Sequence, residues 1–149
     1  MLNYRFKRKG FTLLEMLLSI AILTLLAGLS VPIYRSFYTK NDLNLSSETL
    51  VHALRRAQSE SQGVLNDSSR GVYIESGNIR LFSGSSYATR DVNLDENFEI
   101  PQNIQLSGLN EVVFDKVSGL PQATGEFILT SVNNEVSTTT INSMGTIFY

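Results

Sequence analysis

The apolar residues of this chain are concentrated near its N-terminus. Residues 11–34 contain one charged residue, Glu15, and the nineteen residues from 16 to 34 contain none. A helix of that length covers the ~30 Å hydrocarbon thickness of a bilayer at about 1.5 Å per residue. The pattern therefore predicts a transmembrane helix over residues 11–34.

The helical pattern continues beyond this run in amphipathic form. Leu43, Leu50, Leu54 and Ala57 are spaced at i, i+7, i+11 and i+14, which places them in one apolar stripe. Four polar residues of the same stretch are expected to face water: Arg55, Arg56, Glu60 and Gln62. Because Gly63 and the polar run 66–69 end the pattern, we predict one helix from about residue 12 to residue 62.

After residue 70 apolar and polar residues alternate, which is typical of strands with one buried face. Two hairpins are predicted, one joining residues 71–75 to 78–82 and the other joining 125–132 to 135–141 around Asn133-Asn134. Shorter extended segments are expected at 98–106 (interrupted by Pro101), 111–115 and 146–149, with a polar loop at 84–95 and a turn at 118–121. The fold class is therefore α+β: a long N-terminal helix packs, through Leu50 and Leu54, against an antiparallel β domain within residues 35–149.

The first ten residues carry four basic residues, Arg5, Lys7, Arg8 and Lys9, and no acid. A cleaved secretory signal needs an apolar region of roughly 7–15 residues and a small-residue cleavage site, neither of which is present. The positive-inside rule places residues 1–10 in the cytoplasm and residues 35–149 outside. The chain is expected to be either a plain membrane anchor or an anchor that is cut on its cytoplasmic side.

The position of Glu15 bears on this choice. A carboxylate inside hydrocarbon costs on the order of 2.5–3.5 kcal/mol on insertion scales, and a plain anchor has no use for it. Glu15 lies either at the headgroup level or beside a cationic partner. Cleavage after Gly10 would create such a partner, since it leaves a free amine on residue 11 of a neighbouring subunit.

Residues 9–23, KGFTLLEMLLSIAIL, resemble the class III signal of type IV pilins and type II secretion pseudopilins. That signal is a basic leader ending in glycine, followed by an aromatic first mature residue and a glutamate as the fifth. The resemblance implies that a prepilin peptidase cuts between Gly10 and Phe11 and N-methylates Phe11. It also implies that Phe11, Glu15 and the helix-kinking Pro32 serve filament assembly.

The C-terminal run FDKVSGLPQATGEFILTSVNNEVSTTTINSMGTI resembles, more loosely, the minor pseudopilins and minor pilins of the GspH/FimT type. The shared features are a glycine turn after a phenylalanine, a β-hairpin and a closing Gly-x-Ile strand. This resemblance favours a minor subunit over a major one.

Composition argues against an enzyme. The chain has no cysteine and one histidine, His52, so a cysteine metal site, a histidine-rich metal site and a Ser–His–Asp triad all lack their residues. We expect no catalytic residue, no cofactor and no metal. One alternative stays open, a calcium site in the acidic cluster Asp91, Asp95, Glu96 and Glu99.

Charge argues against DNA binding without excluding it. The net charge is −2, and removal of the four basic leader residues leaves eight basic residues against fourteen acids, a mature charge of −6. No Lys or Arg occurs in residues 117–149, so a DNA contact would fall on Arg55 and Arg56 or on the dispersed Arg70, Arg80 and Arg90.

The sequence therefore predicts a non-enzymatic, single-span structural subunit of a type IV pilus, a type II secretion pseudopilus or a competence pilus. Its expected partners are the prepilin peptidase, other pilin or pseudopilin subunits, an inner-membrane platform with its ATPase, and membrane lipid before assembly. Its expected location is the inner membrane first and the periplasm or cell surface later. The alternatives are a major pilin, a DNA-binding minor pilin and a membrane-anchored module that does not assemble.

Overall fold

The computed structural model describes residues 10–149, and within them the side chains of residues 29–36 are outside the description. The predicted basic leader residues and the side chain of Pro32 therefore lie outside the described residues. The chain divides into two units, Met1–Ser36 and Phe37–Tyr149, which are described separately.

A single helix, α1, spans Leu13–Gln62, in agreement with the helix predicted from about residue 12 to residue 62. Between Leu13 and Leu26, apolar residues occur on every side of the helix. In the part of the chain that the structure describes, no helix combines the length and the hydrophobicity needed to cross a membrane. The predicted span over residues 11–34 stays a prediction.

The second unit contains eight strands in two antiparallel sheets of four. The first sheet has the order β3-β2-β1-β5 and the second the order β4-β6-β7-β8. The strands are β1 Arg70–Glu75, β2 Asn78–Ser83, β3 Glu96–Glu99, β4 Gln105–Gly108, β5 Glu111–Phe114, β6 Gly125–Thr130, β7 Val136–Ile141 and β8 Ile147–Phe148. The predicted α+β class, with a helix packed on antiparallel sheets, is confirmed.

Both predicted hairpins form, and the second has a longer loop than expected. In the first, Glu75 pairs with Asn78 across a turn in which Gly77 adopts φ +83°, a conformation that glycine reaches without steric cost. In the second, the last pair is Thr130 with Val136, so residues 131–135 form the loop rather than Asn133-Asn134 alone. The reason is a closed turn: the Ser131 N–H donates to the Glu135 carbonyl at 2.9 Å, and the Glu135 N–H donates to Ser131 Oγ at 3.2 Å.

The extended segment predicted at 98–106, with its interruption at Pro101, is divided between the two sheets. β3 ends at Glu99 in the first sheet, and β4 begins at Gln105 in the second. Pro101 lies between them and has no N–H to donate to a strand ladder. The chain instead turns there, since the Ile104 N–H donates to the Pro101 carbonyl at 3.2 Å. Burial of Ile100 and Ile104 then fixes this crossing between the sheets.

The apolar stripe predicted on α1 is confirmed, because all four of its residues are buried in one core. The first sheet contributes Val72, Ile74, Ile79, Leu81, Val112 and Phe114 to that core, and the second contributes Phe127, Leu129 and Ile141. Both sheets thus cover the C-terminal half of α1, including Leu50 and Leu54.

Hydrogen bonds connect the end of α1 to the β domain. Buried Ser61 donates from Oγ to the Phe114 carbonyl at 3.1 Å and accepts the Arg70 N–H at 2.9 Å. One helical turn earlier, Gln58 Nε2 donates to the carbonyls of Gly119 at 3.2 Å and Gly145 at 3.1 Å. Gly145 has φ +77°, and a Cβ there would lie 2.3 Å from Gln58 Nε2, so this close approach requires glycine.

Candidate assembly surface and processing site

The start of α1 is capped by Thr12. The Glu15 N–H donates to Thr12 Oγ1 at 3.3 Å, and the Met16 N–H donates to the Thr12 carbonyl at 3.2 Å. Thr12 is therefore the N-cap residue, and Glu15 is the third residue of the helix. This role of Thr12 was not predicted from the sequence, although a Thr-x-x-Glu spacing before an apolar run is the capping-box signature.

Glu15 occupies the first turn of α1, where a negative charge is favoured. The unsatisfied N–H groups at a helix N-terminus carry partial positive charge, which stabilises a carboxylate by about 0.3–1 kcal/mol. The helix itself thus offsets part of the cost of a charge in this apolar stretch. Neither of the two predicted positions of Glu15, at the headgroups or beside an amine, is tested by this geometry.

The peptide bond between Gly10 and Phe11 lies before the helix, in irregular and exposed backbone. Among the described residues other than its chain neighbours, no atom lies within 4 Å of the position that a Cβ on Gly10 would occupy, and Phe11 is 79% exposed. Within residues 10–149, both residues of the predicted cleavage site are therefore exposed.

The large apolar residues described between positions 11 and 26 are more than half exposed: Phe11, Leu13, Leu14, Met16, Leu17, Leu18, Ile20, Ile22, Leu23, Leu25 and Leu26. Two hydroxyl groups within this run bond to carbonyls of the helix itself. Ser19 Oγ donates to the Glu15 carbonyl at 2.7 Å and Thr24 Oγ1 to the Ile20 carbonyl at 3.0 Å. A helix that is apolar on all sides and internally satisfied in its polar groups is suited to apolar surroundings.

The two arginines proposed for DNA contact point to different neighbours. The Arg55 guanidinium lies 5.3 Å from the centre of the Tyr149 ring, a cation–π arrangement. Arg56 instead bonds from Nε to Glu60 Oε1 at 2.8 Å and from Nη2 to Glu96 Oε1 at 2.6 Å. The hydrogen bond to Glu60 raises the pKa of Arg56 above its ordinary value. The structure does not join the two side chains into one basic patch.

The dispersed arginines also lie against carboxylates. Arg70, only 3% exposed, is 3.2 Å from Glu60, and Arg80 is 3.2 Å from Glu75. Arg90 lies 2.9 Å from Asp95, and this hydrogen bond raises the pKa of Arg90. In the described second unit these guanidinium charges are therefore balanced locally rather than gathered for phosphate binding.

The four acidic residues considered for calcium do not form a metal site in the described part of the chain. Asp91 accepts the Asn93 N–H at 3.0 Å, while Asp95 and Glu96 are held by arginines. Glu99 is the last residue of β3. Among residues 10–149 no group of three or more acidic, histidine or cysteine side chains is arranged to hold a metal ion.

A groove that was not predicted from the sequence lies between α1 and the edge strand β3; we call it the α1–β3 groove. It consists of two adjoining cavities of about 290 and 260 Å³ that share Thr49. Its helix side is formed by Asp42, Leu45, Ser46, Thr49, His52, Ala53 and Arg56, and its strand side by Phe98, Glu99, Ile100 and Pro101. His52, the single histidine, is thus an exposed groove residue.

Comparison with protein families identifies a prokaryotic N-terminal methylation motif at residues 5–31. The match includes the Gly10–Phe11 bond, Thr12 and Glu15. The chain therefore carries a type IV pilin-like signal, which implies processing by a prepilin peptidase, membrane anchoring and later assembly into filaments. No curated protein and no solved structure matches the chain.

Proposed function

We propose that this chain is a non-enzymatic pilin-like structural subunit, a minor pilin or pseudopilin of the GspH/FimT type. A prepilin peptidase cuts it between Gly10 and Phe11, and it then assembles into a type IV pilus, a type II secretion pseudopilus or a competence pilus. The methylation motif at residues 5–31 carries this proposal. It coincides with an accessible glycine, a capped helix start and a helix apolar on all sides.

Processing changes the charge at the helix start. Hydrolysis of the Gly10–Phe11 amide releases the basic leader and leaves a free amine on Phe11, which takes one methyl group from a methyl donor bound by the peptidase. Before assembly the apolar part of α1 lies in the membrane, with residues 1–10 in the cytoplasm and residues 35–149 outside. An inner-membrane platform driven by its ATPase then moves the subunit into the filament.

In the filament, Glu15 pairs with the Phe11 amine of a neighbouring subunit. The attraction between opposite charges is strong in a medium of low dielectric constant, and an unpaired buried charge is costly. The pair therefore favours one register between neighbouring helices. The apolar side chains around it lose contact with lipid and gain contact with other helices, so assembly leaves their surroundings apolar throughout.

The second unit supplies contacts outside the membrane. The core residues named for it all lie between Leu43 and Ile141, within Phe37–Tyr149. A DNA-binding role receives no specific support, because Arg56, Arg70, Arg80 and Arg90 are already engaged by carboxylates.

Intact mass spectrometry of the protein from cells with and without the prepilin peptidase tests the proposal. We expect a mature form that begins at Phe11 and carries one added methyl group, present only with the peptidase. A Gly10→Val variant should stay uncleaved, whereas Gly28→Val should be processed normally, since a Cβ at either glycine meets no atom within 4 Å. An uncleaved chain in both strains would leave only a membrane-anchored module.

A further inference from the structure

Two aromatic residues and a lysine follow closely on the charge-free run of α1. Phe37 is 71% exposed and Tyr38 is 53% exposed, and together with Asn41 they line an open cavity of about 300 Å³. Lys40 is also exposed, and no ion pair in the described part of the chain includes it. We call Phe37, Tyr38 and Lys40 the aromatic–lysine cluster.

The cluster lies on the side of α1 that faces away from the core. Each residue turns an α-helix by about 100°, so positions 37, 38, 40 and 41 fall within an arc of about 160°. The buried stripe that contains Leu43 and Leu50 lies on the other side of the helix. The sheets that bury the stripe therefore leave the cluster open to other molecules.

The length of α1 indicates which surroundings the cluster meets. From Leu13 the helix rises about 36 Å to Phe37 and about 40 Å to Lys40, at roughly 1.5 Å per residue. A bilayer has a hydrocarbon layer ~30 Å thick and measures about 40–45 Å with its headgroups. When the cluster lies among the outer headgroups, the Gly10–Phe11 bond therefore lies near the headgroups on the cytoplasmic side.

The side chains of the cluster suit this depth. Tyrosine is enriched where hydrocarbon meets water, because its ring is apolar and its hydroxyl group is polar. A lysine near the end of a membrane helix extends its ammonium group into the headgroups, where anionic lipid phosphates attract it. The cluster therefore fits a lipid surface that contains anionic headgroups.

We propose that Phe37, Tyr38 and Lys40 anchor the chain at the outer headgroups of the membrane, with the Lys40 ammonium group on an anionic lipid phosphate. The two rings limit how far α1 slides across the bilayer, and so they hold the Gly10–Phe11 bond at the depth of the peptidase. Leader removal then depends on residues beyond the methylation motif, which ends at residue 31. This inference rests on the proposed function, because it requires a membrane-anchored chain that the peptidase processes.

Depth measurements on the full chain in vesicles of phosphatidylcholine and phosphatidylglycerol test the anchor. The protein has no native cysteine, so Asn41→Cys carries a single fluorophore beside the cluster. We expect stronger quenching by lipids spin-labelled on the headgroup than by lipids labelled deep in the acyl chain. Ser59→Cys is the matched control, since this exposed position lies on the same side of α1, about 27 Å farther along the helix. Headgroup labels should leave it unquenched.

The lipid partner of Lys40 is tested by changing the headgroup that carries the spin label. With the fluorophore at position 41, labelled phosphatidylglycerol should quench about fivefold more effectively than labelled phosphatidylcholine at low salt. The excess should fall as the salt concentration rises. Lys40→Glu should remove this preference. Arg55→Glu changes the net charge by the same amount about 22 Å farther along α1 and should leave the preference unchanged.

Pulse-chase labelling of leader removal in cells tests the effect of the anchor on the cleavage site. The double variant Phe37→Ser/Tyr38→Ser should slow leader removal several-fold, because α1 then slides more freely across the bilayer. Leu45→Ser removes another half-exposed apolar side chain about two turns later and should be processed at the normal rate. Intact mass spectrometry identifies the mature, methylated form in each case.

Each alternative result has a definite meaning. Equal quenching at positions 41 and 59, or stronger quenching by deep acyl-chain labels, would overturn the anchor. Fluorescence at position 41 that ignores every labelled lipid and follows the protein-to-lipid ratio would show that another protein covers the cluster, and would also overturn it. Cleavage and methylation beside either result would leave the proposed function standing. Correct depth in vesicles without cleavage in cells would support the lipid contact and overturn the proposed function.

Discussion

The two halves of α1 differ in where their apolar side chains find contact. Before residue 29, apolar residues lie on every side of the helix and are more than half exposed within the described chain. From Leu43 onward, Leu43, Leu50, Leu54 and Ala57 form one stripe, which two sheets of the same chain cover. The C-terminal half of α1 is thus buried by its own domain, whereas the apolar residues of the N-terminal half are left for contact with other molecules. Folding and assembly therefore depend on different residues of one helix.

The sharpest test of this division is Glu15→Leu. We expect incorporation into filaments to be lost, because the variant cannot pair with the Phe11 amine of a neighbour, while the exterior unit stays folded. The measurement is the fraction of protein in sheared, sedimented filaments, with membrane insertion assayed alongside. Glu48→Leu, at an exposed acid in the second half of α1, serves as the control. Normal incorporation of the Glu15 variant would support a membrane-anchored module instead.

Two leucines of α1 allow the halves to be compared directly. Leu54 is fully buried, so Leu54→Ala should destabilise the exterior unit by about 2–5 kcal/mol through lost contacts and a cavity. Leu17 is 59% exposed, and Leu17→Ala should change that stability by less than about 0.5 kcal/mol. Denaturant unfolding of the full chain in detergent measures both. Equal effects would contradict the separation of the two halves.

A smaller loss of stability is expected where Ser61 connects the end of α1 to the first sheet by hydrogen bonds. Ser61→Ala removes the donor to the Phe114 carbonyl and the acceptor for the Arg70 N–H. Leaving these buried groups unpaired should cost about 1–3 kcal/mol in the same unfolding experiment. Ser59→Ala, at an exposed serine two residues earlier, should be neutral and shows whether the loss is specific.

The smallest effect is expected at the start of the helix. Thr12→Ala removes the cap and should weaken the first turn by about 0.5–2 kcal/mol. Hydrogen exchange at the Glu15 amide should become faster, because that N–H donates to Thr12 Oγ1. Thr24→Ala removes a hydroxyl that bonds within the helix and should leave the Glu15 amide unchanged. Unchanged exchange in the Thr12 variant would show that the cap does not hold this turn.

Local patterns were enough to predict much of the fold. Helical periodicity placed the end of α1 at Gln62 and identified Leu50 and Leu54 as core residues, because both features depend on neighbours within a few turns. Glycine and asparagine turns likewise located both hairpins. For the segment 98–106, alternation predicted extended chain interrupted by Pro101, but it does not show that the two parts join different sheets.

The candidate sites also divide into residues that a local motif identifies and contacts that depend on distant residues. Gly10, Phe11 and Glu15 were identified from one short, contiguous motif, and Thr12 was available from the same residues. The carboxylate partners of Arg56 and Arg70 were not predicted from the sequence. Glu96, for example, lies forty residues from Arg56 along the chain. The ion pairs of Glu96 with Arg56 and of Asp95 with Arg80 likewise join residues brought together by folding.

By itself, the sequence determined the long helix, its change from an all-round apolar surface to a single stripe, and the methylation signal at its start. These features are local, because they depend on spacing along one helix or on a few adjacent residues. Only the tertiary structure decided the division into two sheets, the pairing of the arginines and the α1–β3 groove. Each of these depends on which distant segments meet, and that choice is made by burying one shared core.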